Sequence, residues 1–472
     1  MRRVLLWALL GIAAAAAAGS TRSFAEFTLS EVEGLRMTGK GQQPATATAA
    51  KAILEEARAV AQRLGDAELR ARALSLVAQT MAETDPAQAL NIARSIGDEY
   101  QRSWTLHLLA GKLAQSDPAR SRAAAQEAIE SAQRVGNEEQ RSMALLNVAC
   151  SLAKTDPQQA LALARGIPDD GARASALAGV ACALGETQAA QSQEVISEAC
   201  GIARGVADNQ KRDVALFRVA WALAASAPER ALEVASSIDK RKPTWRAQVT
   251  LAAAETVAKT DLQKAVQMAS GIEDPWWHSR ALRQVALVAA QCDAARAREI
   301  ARMIEEPAER ARALGDLAGA LAQAAPEESR QMAGEALTVA QGIKEPRRGP
   351  VMVAVVGAVA ATDPQAALKA ARSLTNPVMR VRALSAVAAA RLNGDAEASR
   401  QVAEEALGAA RKIAAETERA EAVSAAAAAL APTDPEAALL AARGIENNFQ
   451  RALTLREMAA AILAPVKAKP AQ

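Results

Sequence analysis

Aromatic side chains are scarce in this sequence: six Trp, four Phe and one Tyr among 472 residues. Strands draw on aromatic and β-branched residues, and here much of the hydrophobic 50% is alanine. Such a chain speaks for helices packed close together. Histidine is rarer still, with only His107 and His278. There is no HExxH, no GxSxG, no P-loop and no dinucleotide-binding glycine pattern. Acids are plentiful, but no carboxylate pair stands apart for acid–base work, so the expectation is a non-catalytic protein without cofactor or metal. Of four cysteines, Cys150 and Cys182 hold the same position in consecutive repeats. Their backbones should lie roughly 10 Å apart, beyond the 7 Å or so that a disulfide spans. Cys182 should face about residue 191 rather than Cys200, and Cys292 is distant in sequence. All four are read as small core thiols.

Long apolar runs are also missing, with one exception. Arg2 and Arg3 precede Val4–Ala18, and small residues follow up to Ser23-Phe24-Ala25. This has the pattern of a secretory leader. A retained anchor is the alternative, but the run is short of the roughly 20 residues of a span. Residues 1–25 are therefore assigned as a leader and the chain as exported, periplasmic or secreted. Without them the chain keeps 53 basic and 53 acidic residues. That balance gives no general pull on phosphate and does not point to nucleic acid.

What is present is repetition. Residues 151–167, SLAKTDPQQALALARGI, return as AATDPQAALKAARSL at 360–374 and APTDPEAALLAARGIE at 431–446. Aligned on the Asp of TDP, the repeat points are Thr46, Asp85, Asp117, Asp156, Gln188, Ala227, Asp261, Asp293, Ala325, Asp363, Asp395 and Asp434. Twelve units fill 46–466, after a linker (26–45) and before a short tail (467–472). Asp-Pro caps and opens the first helix of each unit. In that helix Ala160, Leu161, Ala164 and Ile167 share one face; in the second, Ala176, Leu177, Val180, Ala181 and Leu184 do. Neither face can be buried alone, so neighbouring units must stack. The expected fold is an all-α solenoid of twelve antiparallel helix pairs, a curved superhelical rod on the order of 100 Å long.

Spacings of 39 and 32 residues alternate, except that the units at 227, 261 and 293 are all short. Seven residues make about two helical turns, so long units extend the first helix without rotating its apolar face. The Leu-x-x-Val-Ala-x-x-Leu of helix two, with DPxxAL after it, resembles tetratricopeptide repeats. The Arg-x-x-Ala opening helix two is similar to HEAT-like repeats. That resemblance implies a protein-interaction scaffold. It transfers no partner and no site.

Helix two opens on one residue type: Arg70, Arg102, Arg141, Arg173, Arg212, Arg246, Arg310, Arg348, Arg380, Arg419 and Arg451, with His278 the exception. These are read as a structural ladder binding carboxylates or helix-end carbonyls, against the alternative of a polyanion-binding stripe. All five long first helices carry Glu ten residues after the repeat point: Glu56, Glu127, Glu198, Glu335 and Glu405. Reflection across the preceding turn pairs Glu127 with Arg102, Glu198 with Arg173, Glu335 with Arg310 and Glu405 with Arg380. It leaves Glu56 with no preceding unit.

The aromatic residues concentrate where the alternation fails. Trp245 and Arg246, then Trp276, Trp277, His278 and Arg280, sit at equivalent loops of adjacent units. They either plug the core or form the hot spot of a binding surface, for which Trp and Arg are favoured. The expected partner is a protein held by an envelope scaffold. The other possibility is a solenoid that binds or cleaves carbohydrate with these loops.

Overall fold

The computed structural model describes residues 44–464 apart from 154, 186, 187 and 393. The segments expected to be a leader and a tail, and most of the expected linker, lie outside the described residues. Within them are twenty-four helices and no strand. None of these helices is long and apolar enough to cross a membrane.

Odd-numbered helices open each unit. Five are long: α1 (Pro44–Gln62), α5 (Pro118–Arg134), α9 (Ala189–Gly205), α17 (Pro326–Gln341) and α21 (Ala396–Ala410). Seven have nine residues: α3 (Pro86–Arg94), α7 (Pro157–Arg165), α11 (Pro228–Ser236), α13 (Leu262–Ser270), α15 (Ala294–Arg302), α19 (Pro364–Arg372) and α23 (Pro435–Arg443). Even-numbered helices close the units: α2 (Ala67–Met81), α4 (Glu99–Leu113), α6 (Glu138–Leu152), α8 (Asp170–Leu184), α10 (Asn209–Leu223) and α12 (Pro243–Val257). They continue as α14 (Pro275–Ala289), α16 (Pro307–Leu321), α18 (Arg348–Val359), α20 (Pro377–Arg391), α22 (Glu416–Leu430) and α24 (Asn448–Leu463).

The helices start where capping chemistry places them. The carboxylates of Asp85, Asp117, Asp156, Asp363 and Asp434 each accept the backbone N–H three residues on, at 2.8–3.1 Å. Asp66, Asp98, Asn137 and Asp208 do the same for even helices. A cap of this kind is worth about 1 kcal/mol. Four long helices add a buried serine at the first turn. Ser121, Ser192, Ser329 and Ser399 donate to the carbonyls of Ala110, Ala181, Ala318 and Ala388 at 2.6–2.8 Å. The short helices have alanine at that place, from Ala89 to Ala438. The hydroxyl marks four of the five long helices; α1 has Ala50 there.

Each even helix packs on the next, from α2 on α4 to α22 on α24, and α24 then packs on α2. α24 also lies along α1 as α4 lies along α5. The array closes into a ring. Consecutive odd helices scarcely touch, so even helices form the inner wall and odd helices the outer layer. The expected solenoid of helix pairs is present, but the expected open rod is corrected, since its two ends are partners. Leu455, Met458 and Leu463 on α24 are as buried as Leu106, Leu109 and Leu113 on α4.

The glutamates show the closure most plainly. Glu127 takes a two-pronged bond from Arg94, at 2.6 and 2.8 Å. Glu198 pairs in the same way with Arg165, Glu335 with Arg302, and Glu405 with Arg372, always 33 residues apart. Glu56 pairs with Arg443, at 2.7 and 2.9 Å, across the seam. The expected pairings with Arg102, Arg173, Arg310 and Arg380 are therefore wrong, as is a Glu56 without a preceding unit. The true partner ends the neighbouring short helix on the outer layer, level with the glutamate.

The ladder arginines are engaged elsewhere. Arg70, Arg141, Arg173, Arg212, Arg310, Arg419 and Arg451 donate to the carbonyl six residues earlier, at 2.5–3.4 Å. That carbonyl lies just past the preceding outer helix, where the macrodipole welcomes a cation. Arg102 reaches Gly97 and Glu99, and Arg348 reaches Glu345. Arg246 and Arg380 make no such bond among the described residues.

Candidate functional site

In the ring, long and short outer helices alternate all the way round except at α13. Alternation calls for a long helix there. Gly271 stands where the long helices have Glu, and Ser236, closing α11, stands where the partner Arg would be. Both halves of the ion pair are missing together. In α5 the two extra turns reach the start of α4, where Ser131 donates to Glu99; α13 has no such turns over the start of α12, where Trp245 sits.

Trp245 faces backwards along the ring. Its ring lies 5.5 Å from that of Phe217 on α10, tilted by 32°, and Phe217 lies 5.9 Å from Trp221. Lys242 places its Nζ 4.3 Å from the Trp245 centroid and 3.4 Å from Asp213. Trp245 is thus packed into the joint between α10 and α12. Arg246 lies beside it, half-buried and without an ion pair among the described residues.

Trp276 and Trp277 form a second group. Asp274 caps α14 and accepts both of their backbone N–H groups, at 3.0 and 2.9 Å. Their rings meet edge to face, with centroids 4.4 Å apart. The Arg280 guanidinium lies 4.5 Å from the Trp276 centroid and 5.7 Å from that of Trp277. Trp277 is half-buried, but Trp276 is 48% exposed. A cation over an indole face is worth about 0.5–1 kcal/mol at an exposed site, and it holds the outer ring in a fixed pose. No ring contact joins this group to Trp245 among the described residues. The expected single cluster is two.

His278 explains the hollow beside it. It occupies the ladder position, but imidazole is too short to reach a carbonyl six residues back as Arg does. Its imidazole makes no hydrogen bond or ion pair among the described residues. A cleft of about 290 Å³ opens there, lined by Pro275, His278, Ser279, Glu305 and Glu306. Glu306 is committed, since it accepts the Glu309 N–H at 2.7 Å and pairs with Arg347 at 3.2 Å. Glu305 is exposed. Sequence reasoning missed both glutamates. Their one signal was position, in the loop of the next unit equivalent to Asp274.

The other histidine shows the contrast. His107, on α4, is buried, its ring 4.8 Å from Trp104, and burial pushes its pKa down to about 4. It is a core residue. The cysteines are all free thiols: Cys150 and Cys200 are buried, Cys182 is half-buried and Cys292 is exposed, so the expectation of a core position fails for Cys292. Among the described residues no group of His, Cys, Asp and Glu could hold a metal ion.

No family model matches the chain, and no curated protein matches it. Among solved structures, the crystal structure of Ton1535 from Thermococcus onnurineus NA1 is 15% identical. It covers 72% of this chain and 94% of its own, with a TM-score of 0.28. A circular tandem repeat protein with novel repeat topology and enhanced subunit contact surfaces is 16% identical. It covers 89% of this chain and 96% of its own, with a TM-score of 0.16. Likeness this low carries no functional reading.

Proposed function

We propose that this chain is an exported, non-catalytic scaffold of the cell envelope, a ring that holds a protein partner at the start of α14. The observation behind this reading is the exposed Trp276, braced by Trp277 and Arg280, beside an open cleft. Exposed aromatic area of this kind, with Arg alongside, is the composition of interface hot spots. Its place supports the reading too, because the repeat departs from its own rule there. Export is inferred from the leader pattern, and protein binding suits a repeat surface.

The test is site-specific photo-crosslinking in the envelope fraction. A crosslinker at position 276 should capture one discrete partner. A crosslinker at Leu440, also exposed, should not. Equal products from both positions would refute the site. Carbohydrate binding is the second reading, favoured by the exposed Trp276 indole, whose neighbour Pro275 lines the same cleft as Glu305. Cleavage would need two working carboxylates, and Glu306 is already bound. Quenching of Trp fluorescence by soluble oligosaccharides, lost in Trp276→Ala, would move the assignment there.

A further inference from the structure

The inner wall carries a second feature, independent of α14. On α4, Ser103 donates to the Ala128 carbonyl of α5, and Leu106, Ala110 and Leu113 are buried on the same side. These lie one, four, eight and eleven residues after the ladder position. At 3.6 residues per turn the opposite face belongs to positions two, six and nine, and it looks into the ring.

On α14 to α22 most charges on or beside that face are paired, while Arg280 at position two of α14 lies over the Trp276 ring. Arg283 meets Asp316, Arg312 meets Glu309, and Arg382 meets Glu421. Arg218 on α10 holds position six and has no carboxylate in ion-pair range among the described residues. Its guanidinium instead reaches Met143 on α6, with Nη1 3.2 Å from Sδ. It passes over α8, which offers only Ser175, Gly179 and Cys182 on that face. Burial pushes its pKa down from the ordinary arginine value, so the charge is poorly hydrated. One turn on, the Trp221 indole N–H is buried with no acceptor. Trp104, Met143 and Val214, all half-buried, supply apolar surface around this sector.

Asp169 and Glu139 act on this guanidinium from beyond ion-pair range. A desolvated guanidinium with no carboxylate in contact is costly, and a bound anion relieves it. The apolar part of that anion would meet a purely helical wall, whose backbone groups are already bonded. Hydrocarbon suits such a wall, whereas an extended peptide would leave its own amides unmatched. We propose that Arg218 receives the carboxylate of a small aliphatic acid whose chain lies on Trp104, Met143 and Val214 inside the ring.

Calorimetry with the purified chain tests this, using dodecanoate and dodecanol below their aggregation limits. Dodecanoate should bind about tenfold or more tighter than dodecanol, the margin of a charge-assisted bond. Arg218→Met should erase the margin, and Arg218→Lys should keep part of it. If Arg218→Met fails to fold, Met143→Glu serves instead: it puts a carboxylate on the same guanidinium and should also abolish dodecanoate binding. Equal binding of acid and alcohol, or unchanged binding in these variants, would overturn the proposal. So would binding of an apolar peptide through its free C-terminus with no binding of dodecanoate.

Discussion

Two regions of the ring differ in an instructive way. At the seam the chain is not continuous, yet α24 meets α1 and α2 as though it were, and Arg443 holds Glu56 as Arg94 holds Glu127. At α13 the chain is continuous, yet the pattern fails: the helix is short, the Arg–Glu pair is missing, and His278 replaces the ladder Arg. Regularity here follows the side-chain code rather than chain connectivity. The seam is specified and α13 is exempted. That is why the departure, and not the seam, reads as the site.

The comparison can be broken first at the core of the seam. Leu455 on α24 and Leu106 on α4 are fully buried at equivalent positions. Leu→Ala at either should cost about 2–5 kcal/mol in denaturant unfolding, by similar amounts. A much smaller loss at Leu455 would mean that the seam is not a joint of internal quality. Next in size is an acid effect within a regular unit. His107 titrates near 4 in the fold against an ordinary 6.5, so the native state binds fewer protons between those values. Stability is full above pH 6.5 and falls by up to about 3 kcal/mol as pH drops to about 4. Asp316 and Glu457, pushed up by burial, act with the opposite sign. The His107→Leu variant isolates the histidine part, and its melting curve should lose that share of the acid slope.

The departure can be repaired. His278→Arg should reach the Ile272 carbonyl, as other ladder arginines reach theirs, and gain about 1 kcal/mol while closing the cleft and weakening partner capture. No gain in melting temperature would show that the exception is unrelated to the ladder. The smallest effect belongs to the outer belt. Glu56→Gln and Glu127→Gln should each lose little, alike in size, and the loss should vanish in high salt because these pairs are exposed.

Much of the fold was legible. Asp-Pro caps, apolar faces and the 32/39 spacing specify the helices, their pairing and which first helices are long. Closure was also written, but in a register that a linear reading overlooks. Arg94, Arg165, Arg302, Arg372 and Arg443 close only those short helices whose next unit is long; Ser236 and Ser270 close the two that a short unit follows. Arg443 carries the same mark, and the unit whose glutamate it holds is the one at Thr46. The reflection rule misassigned the glutamates because it considered only the helix hairpin, whereas long side chains on the outer layer bridge between hairpins. At the site, the spacing placed Trp276, Trp277 and His278 correctly at one helix start. It could not show that Trp245 turns to Phe217, because ring direction is decided by packing across a joint.

Closure of the ring within one chain is the central claim, and a distance measurement tests it directly. Spin labels would be placed at positions 56 and 443, and at 94 and 127 as an internal control, after replacing the four native cysteines. Pulsed dipolar spectroscopy at low protein concentration should return the same narrow, short distance for both pairs. A broad and much longer distribution for 56–443, beside a short one for 94–127, would show an open solenoid and contradict the ring.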